Sequence, residues 1–495
     1  MKKKFLYYNF YLFFTISALF ILLRLEILFG SDIDAPFTDD FYYYLTISRN
    51  FLNYNLISFD QINITNGFQP LWFFYLTIIN YLIDNDIFFN FIIILTIFIC
   101  SFFVFINFKK FLISHSYTEL QAMLASSFIS YLTLFFSKNG MEISLAMLFF
   151  SLSLNYFKVN SYIFTIFGFL TFLSRIDFII FYFFLILFEL IFNRKKYIEK
   201  FFLKDLIFPL LVFFYFLINL NFFGFPFPES GVAKSLVNEF KFNKETFSFL
   251  ESKSIGMRFI SLLFMINIFG TFFVFSKKFS NFTKVSLITS IFFFLSNSLR
   301  SAWPLWTWHL YFLSISSPLI IVEILRIIKF KKEIFLYVFI GIFFSLAYGH
   351  LFLKNINSTN DHMLNIAKEI KSHFNNKNYQ VFAMGDMAGK VSYLLNKRLI
   401  QLEGLVAGKD MINRIDQEDN LCKVFKDYKV QIYLTAFTEK IDNLYIIQEP
   451  SQKSKNMKKM QGKIIGEPYK IFTSPDSTLR VFSFNFENGK NKCIY

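Results

Sequence analysis

The chain has 495 residues, 55% of them hydrophobic and only 17% charged, with 78 Phe against 17 Gly and 10 Pro. That composition excludes an ordinary soluble domain and points to a polytopic membrane protein. The net charge of +15 reads as basic loops held at one membrane face, not as a nucleic-acid footprint.

Apolar runs of about 18 or more residues recur through the first two-thirds, each long enough to cross a ~30 Å hydrocarbon core. Basic residues 2–4 lead into a run that continues to about residue 23 without a small-residue cleavage site, which predicts an uncleaved first span at 5–24. Further spans are predicted at 87–107, 120–136, 141–157, 160–174, 177–192, 204–222, 258–276, 284–299, 309–328 and 334–353, with a shorter apolar segment at 69–83. The result is a mainly α-helical chain of about 11–12 transmembrane helices. The positive-inside bias puts Lys109 and Lys110, Arg194 to Lys196, Lys277 and Lys278, and Lys329 to Lys332 in the cytoplasm with the N-terminus. With 69–83 not crossing, the outer face then carries 31–68, 137–142, 175–177, 223–257, 300–308 and the C-terminal tail. If 69–83 crosses, those basic clusters point outward, so the first arrangement is preferred.

Composition breaks near Lys354, dividing a transmembrane domain, 1–354, from a soluble segment, 355–495. Strand-like runs at 381–384, 430–434 and 479–482, with a helix over 365–374, predict a small extracytoplasmic α/β domain. It has no GxGxxG and no P-loop, so nothing marks a nucleotide site. Cys100 sits in an apolar run, while Cys422 and Cys493 lie in the tail, where their pairing is left open. Five scattered histidines at no ligand spacing argue against a His-based metal site.

The first outer loop is unusually rich in specific polar groups: Asp39, Asp40, Arg49, then Asn66 and Gln69. Thr38 is placed to cap a helix with both aspartates in its first turn. Phe41, Tyr44, Leu45, Ser48 and Leu52 follow at i, i+3, i+4, i+7 spacing, which predicts an amphipathic helix on the membrane surface. Dipole complementation explains the aspartate pair locally. Other outer loops, however, add Glu142, Arg175, Asp177, Lys234, Arg300 and His309, and ionisable groups near bilayer depth usually line a cavity or bind a charge. Plainer readings stand beside this one. Arg175 and Asp177 also fit a pair at a span edge, Glu142 fits a helix cap, Lys234 a solvated lysine and Arg300 a headgroup contact. Trp303, Trp306 and Trp308 fit an interfacial belt.

The stretch TDDFYYYLTISRNFL (38–52) with TNGFQPLW (65–72) resembles the first outer loop of multi-spanning GT-C glycosyltransferases, in the bacterial branch that includes mannosyl- and arabinofuranosyltransferase-like proteins. Four later stretches match that branch in order: SKNGMEISL (137–145), LSRIDFII (173–180), NFFGFPFPESGVAKS (221–235) and GDMAGKVSYLLNKRLIQLEGLV (385–406). Ile176 departs from the usual Pro, Glu403 from the commoner Asp, and His309 from an Arg-Tyr pair. The resemblance implies an inverting hexosyl- or pentosyltransferase in the cytoplasmic membrane. Its donor would be a polyprenyl-phosphate-linked sugar and its acceptor a cell-envelope glycan, lipid or protein. It implies Asp39 as base, with Asp40 orienting it or binding acceptor. Lys234, Arg300, Arg175, His309, Glu142, Asn66 and Gln69 would contact substrate or donor phosphate.

The chemistry suits those residues. A carboxylate takes the acceptor hydroxyl's proton, and positive charge stabilises the departing lipid phosphate. No cofactor is indicated, since one carboxylate pair would bind a divalent metal only weakly. The alternatives are a flippase for lipid-linked sugars and an O-antigen polymerase or ligase. A flippase should show pseudo-symmetric halves and broken helices at the midplane. A polymerase or ligase should centre on a large late loop.

Overall fold

The computed structural model of the chain describes residues 37–252, 255–274, 279–328, 362–475, 477–487 and 489–494. The expected spans 5–24 and 334–353 lie outside them. Helices run back and forth between two ends of a bundle: α1 (Asp39–Tyr54), α2 (Pro70–Leu82), α3 (Asp86–Ser114), α4 (Glu119–Ser137), α5 (Ile143–Tyr156), α6 (Ser161–Ser174), α7 (Ile179–Phe192) and α8 (Ile207–Phe223). After a short α9 (Glu229–Lys234) come α10 (Ile255–Thr271), α11 (Asn281–Arg300) and α12 (Leu313–Ile328). Local signals start and stop them. Asn85 accepts from Phe88 N at 3.0 Å to open α3, Thr118 and Gln121 form a capping box on α4, and Gly224 in the left-handed region ends α8.

Four helices among the described residues are long and apolar enough to cross a membrane: Asp86–Ser114, Glu119–Ser137, Ile198–Phe223 and Asn281–Arg300. The other apolar segments are shorter than the sequence predicts. α5, α6 and α7 have 14 residues each, about 21 Å of helix against a core of ~30 Å. Hydropathy alone had run them into their connecting turns. The Ile198–Phe223 span is only 17% buried, leaving Leu210, Phe213, Phe214 and Ile218 exposed. A contiguous apolar face of that kind suits lipid rather than water.

The membrane-surface reading of the 38–52 helix is corrected. In α1 the side chains of Phe41, Tyr42, Tyr43, Tyr44, Leu45 and Ile47 are all buried, so the helix presents apolar and aromatic groups to protein on several sides. Phe41 packs on Phe37, and Tyr42 packs on Tyr393 of the tail. The i, i+3, i+4, i+7 stripe was real, but the tyrosines outside it meet a second domain instead of water. Thr38 sits at the N-cap position, yet its hydroxyl makes no cap bond.

The tail forms two sheets. Strands β1 (Val381–Met384), β2 (Arg398–Gln401), β3 (Ile432–Thr435), β7 (Lys470–Thr473) and β8 (Arg480–Asn485) order as β2-β1-β3-β8-β7, with β2, β1 and β3 parallel. An antiparallel sheet, β4-β5-β6-β9, is built from Thr438–Ile441, Leu444–Glu449, Met460–Ile465 and Lys492–Ile494. Helices α13 (His362–Phe374), α14 (Ala388–Leu395), α15 (Gly408–Asp416) and α16 (Leu421–Asp427) pack around them. Cys422 and Cys493 are joined in a disulfide that ties β9 to the start of α16, which decides the pairing the sequence left open.

Candidate functional site

Loops far apart in sequence converge at one end of the bundle. Thr38 N donates to Asn139 O at 3.3 Å, and Asn139 Nδ2 to Thr307 Oγ1 at 3.4 Å. Gln69 bridges two more segments, its backbone N–H donating to Tyr44 OH and its side-chain carbonyl accepting from Ile176 N, both at 3.1 Å. Asn66 accepts from Glu229 N at 3.0 Å, and Thr65 Oγ1 donates to Glu229 Oε2 at 2.6 Å. Asn66 and Gln69 therefore hold loops together, a role their spacing in sequence could not reveal.

The tail closes over this end. The segment 385–408 supplies the contact, and two glycines allow it. A Cβ on Gly67 would lie 1.9 Å from Leu405 O, and one on Gly389 would lie 2.3 Å from Asp39 O. Both are close backbone approaches that a side chain would block. Gly408 N donates to Glu229 Oε2 at 3.0 Å, so Glu229 links the first loop, α9 and the tail. Nothing local in the sequence distinguishes Glu229 from an ordinary acid at a helix start.

The two aspartates separate into different environments. Asp39 is committed to the tail: Oδ2 accepts from Gly389 N at 3.0 Å and Oδ1 from Lys390 N at 2.7 Å, at the first turn of α14. Burial raises its pKa, and those two amides oppose the rise. Asp40 points elsewhere, as adjacent helical residues about 100° apart must. It is half-buried, and burial pushes its carboxyl up to about 7, against the pull of Lys234 and with the push of Asp39, Asp386 and Glu142. A carboxyl at that value exchanges protons near neutrality.

Asp40 feels the charge of Lys234, which in turn touches His309 from another element. Lys234, at the end of α9, places Nζ 3.2 Å from His309 Nε2. Trp306 N donates to His309 Nδ1 at 3.2 Å, so the neutral ring carries its proton on Nε2. At 3.2 Å the two nitrogens are within hydrogen-bond reach, the ring N–H donating to Nζ when the amine is neutral. Burial lowers the pKa of Lys234 and drives that of His309 well down, with Lys234 and Arg175 adding repulsion to the ring. An oxyanion between them would accept from both.

Arg175 is held differently. It donates from Nη1 to Glu142 Oε1, pairs through Nη2 with Asp177 at 3.4 Å and lies over the Tyr311 ring at 4.8 Å. Glu142 stands at the N-cap of α5 but makes no cap bond, because the guanidinium takes it. Arg175 contributes a fixed positive field here while its donors are largely engaged. Arg300 is not brought into the cluster. It ends α11 exposed, and no hydrogen bond or ion pair among the described residues joins it to Asp40. Trp303 and Trp308 are buried and only Trp306 is exposed, at 44%, so these three do not form an interfacial belt.

No known family model matches the chain, and no curated protein matches it.

The tail adds acids that the sequence reading had seen only as part of a motif. Asp386, in the turn after β1, sits at about 6 through burial and the nearby charge of Asp39. Glu403, after β2, is held well above its ordinary range by burial and by Asp386, Glu449 and Asp39. Both follow the carboxyl ends of parallel strands, where open α/β sheets place their binding groups. Among the described residues no group of three His, Cys, Asp or Glu converges closely enough to hold a metal ion.

Proposed function

We propose that the protein is an integral-membrane glycosyltransferase that moves a sugar from a polyprenyl phosphate to an envelope glycan, lipid or protein. The carrying observation is the charge of Lys234 acting on Asp40, with His309 in contact with that lysine: a carboxyl raised to about 7 beside a lysine–histidine pair. Asp40, rather than Asp39, is then the base, since both Asp39 oxygens already accept backbone amides.

In this reading Asp40 takes the proton as the acceptor oxygen bonds to the anomeric carbon. The bond from that carbon to the phosphate oxygen breaks, its electron pair stays on the phosphate, and configuration inverts. Lys234 Nζ and His309 Nε2–H receive the developing phosphate charge, with Arg175 fixed behind them. The half-buried Asp386 lies on the acceptor side, where its carboxyl can bond sugar hydroxyls, with the buried Glu403 behind it.

The shorter apolar helices α2, α5, α6, α7 and α10 are read as completing a many-span membrane domain together with the four long ones. The site end faces outward and the tail is extracytoplasmic in the cytoplasmic membrane. The Cys422–Cys493 disulfide supports that side, because disulfides persist in oxidising compartments. The test is transfer from synthetic polyprenyl-phosphate sugars by the purified protein. Asp40→Asn should remove it while the protein still inserts and folds, and full activity in that variant would end the mechanism.

A further inference from the structure

Three open cavities lie in a row across the tail. The first, about 370 Å³, opens where α8 ends, between Phe222, Phe223, Lys409 and the loop tip at Ile62. The second, about 410 Å³, shares Ile62, Asn63 and Asp410 with the first and adds Arg398, Arg414 and Lys429. The third, about 560 Å³, shares Lys429 and reaches Lys426, Lys492 and the Cys422–Cys493 disulfide. One wall is stiff: Asp60 accepts from Ile62 N at 2.9 Å, Asn63 N at 2.8 Å and Asn63 Nδ2 at 2.7 Å.

Charge along this track is unbalanced. Arg414 is shared by Asp410 at 2.8 Å, Asp427 at 2.9 Å and Asp419 at 3.6 Å, and Glu487 lines the third lobe. Yet the six lining cations, completed by Arg398, Lys409, Lys426, Lys429 and Lys492, outnumber the three lining acids Asp410, Asp427 and Glu487. Arg398, Lys429 and Lys492 have no side-chain hydrogen bond or ion pair among the described residues, and Arg398 Nε is buried without a partner. Cations thus recur from lobe to lobe, with Asn63, Gln431 and the Tyr428 ring between them. Each lobe has the volume of an ordinary ligand site, so three in series suit a chain of repeating units better than a single small anion. The track is concave and leads away from the α8 end, whereas a flat bilayer would touch only its rims.

We propose that this track binds an extended anionic glycan, a saccharide chain bearing carboxylate or phosphate groups. It lies apart from Asp40 and needs no transfer chemistry, so it can fail while the transferase reading stands, and the reverse. The full-length protein in detergent micelles is titrated with labelled oligogalacturonate and labelled oligo(glycerol phosphate), short and long, with neutral malto-oligosaccharide and anionic phospholipid vesicles as comparisons. Long anionic oligomers should bind about tenfold or more tighter than their monomers, more weakly at high salt. Preference for the carboxylate or the phosphate series identifies the charged group. The double variant Arg398→Ala/Lys429→Ala should lose about tenfold in affinity, with thermal melting unchanged because both side chains are unpaired. Equal binding of the neutral chain, no gain with length, an unaffected double variant, or binding confined to the vesicles would each overturn the proposal.

Discussion

Asp39 and Arg49, at the start and near the end of one helix, hold opposite ends of another. Asp39 receives the first-turn amides of α14, and Arg49 donates to Tyr393 O at 3.0 Å and Ser392 O at 3.4 Å at its last turn. Carboxylate at the amino end and guanidinium at the carboxyl end both complement the dipole of α14. The tail is docked by charge geometry on α1, and that spends the residue the sequence favours as base.

Asp39 and Asp40 should therefore fail differently. Asp40→Asn is expected to cut transfer by about 10²–10⁴-fold, the range for a lost general base, without lowering the melting temperature. Asp39→Asn keeps one accepting oxygen but turns its NH2 toward the other of the Gly389 and Lys390 amides, and should destabilise docking by about 1–3 kcal/mol. Melting curves and limited proteolysis of the tail, alongside transfer rates, separate the two.

Removing Arg49 should loosen the same contact from its other end. Its guanidinium also lies 5.1 Å from the Tyr393 ring, so Arg49→Ala forfeits hydrogen bonds and a cation–π contact together, about 1–3 kcal/mol. The effect should appear as earlier loss of tail structure with the apolar helices intact, read by limited proteolysis of the tail against helical circular dichroism.

The activity profile should carry an acidic limb near pH 7, because Asp40 must be ionised to accept a proton. Lys234→Met removes the charge that pulls this carboxyl down and should move the limb upward, while Asp386→Asn removes a repelling charge and should move it downward. Stability takes the opposite sign. A carboxyl raised from 3.8 to about 7 stays protonated in the folded state where the unfolded chain has lost its proton, so its contribution falls as pH climbs through that window. Rates and melting temperatures across pH 5–8 check both.

Gly67→Ala should pry the tail from the first loop, since its Cβ would sit 1.9 Å from a backbone carbonyl that no rotamer can move. Loss of transfer is expected with Lys234 and His309 still in place. Gly231→Ala, where nothing lies within 4 Å, serves as the control and should behave as wild type.

The sequence disclosed the two-part organisation, strands at 381–384 and near 430–434 and 479–482, and the loops that gather at one end. Those features rest on composition, β-branched runs and charge placement, all local. It did not disclose that Asp39 belongs to α14, because the partners are amides with no side-chain signature, some 350 residues away. The pairing of Arg175 with Glu142 depends on the turn between α6 and α7, which the sequence does not reveal. Arg300 misled for the reverse reason: a helix-end arginine looks the same in sequence whether it turns inward or outward.

The most direct measurement is release of polyprenyl phosphate from a panel of synthetic polyprenyl-phosphate sugars by the purified protein, followed by mass spectrometry. Wild type should release it from at least one donor, Asp39→Asn should retain part of that rate, and Asp40→Asn should fall at least about 100-fold. Release by Asp40→Asn at the wild-type rate would contradict the assignment of Asp40, and no release by wild type from any donor in the panel would contradict the account as a whole.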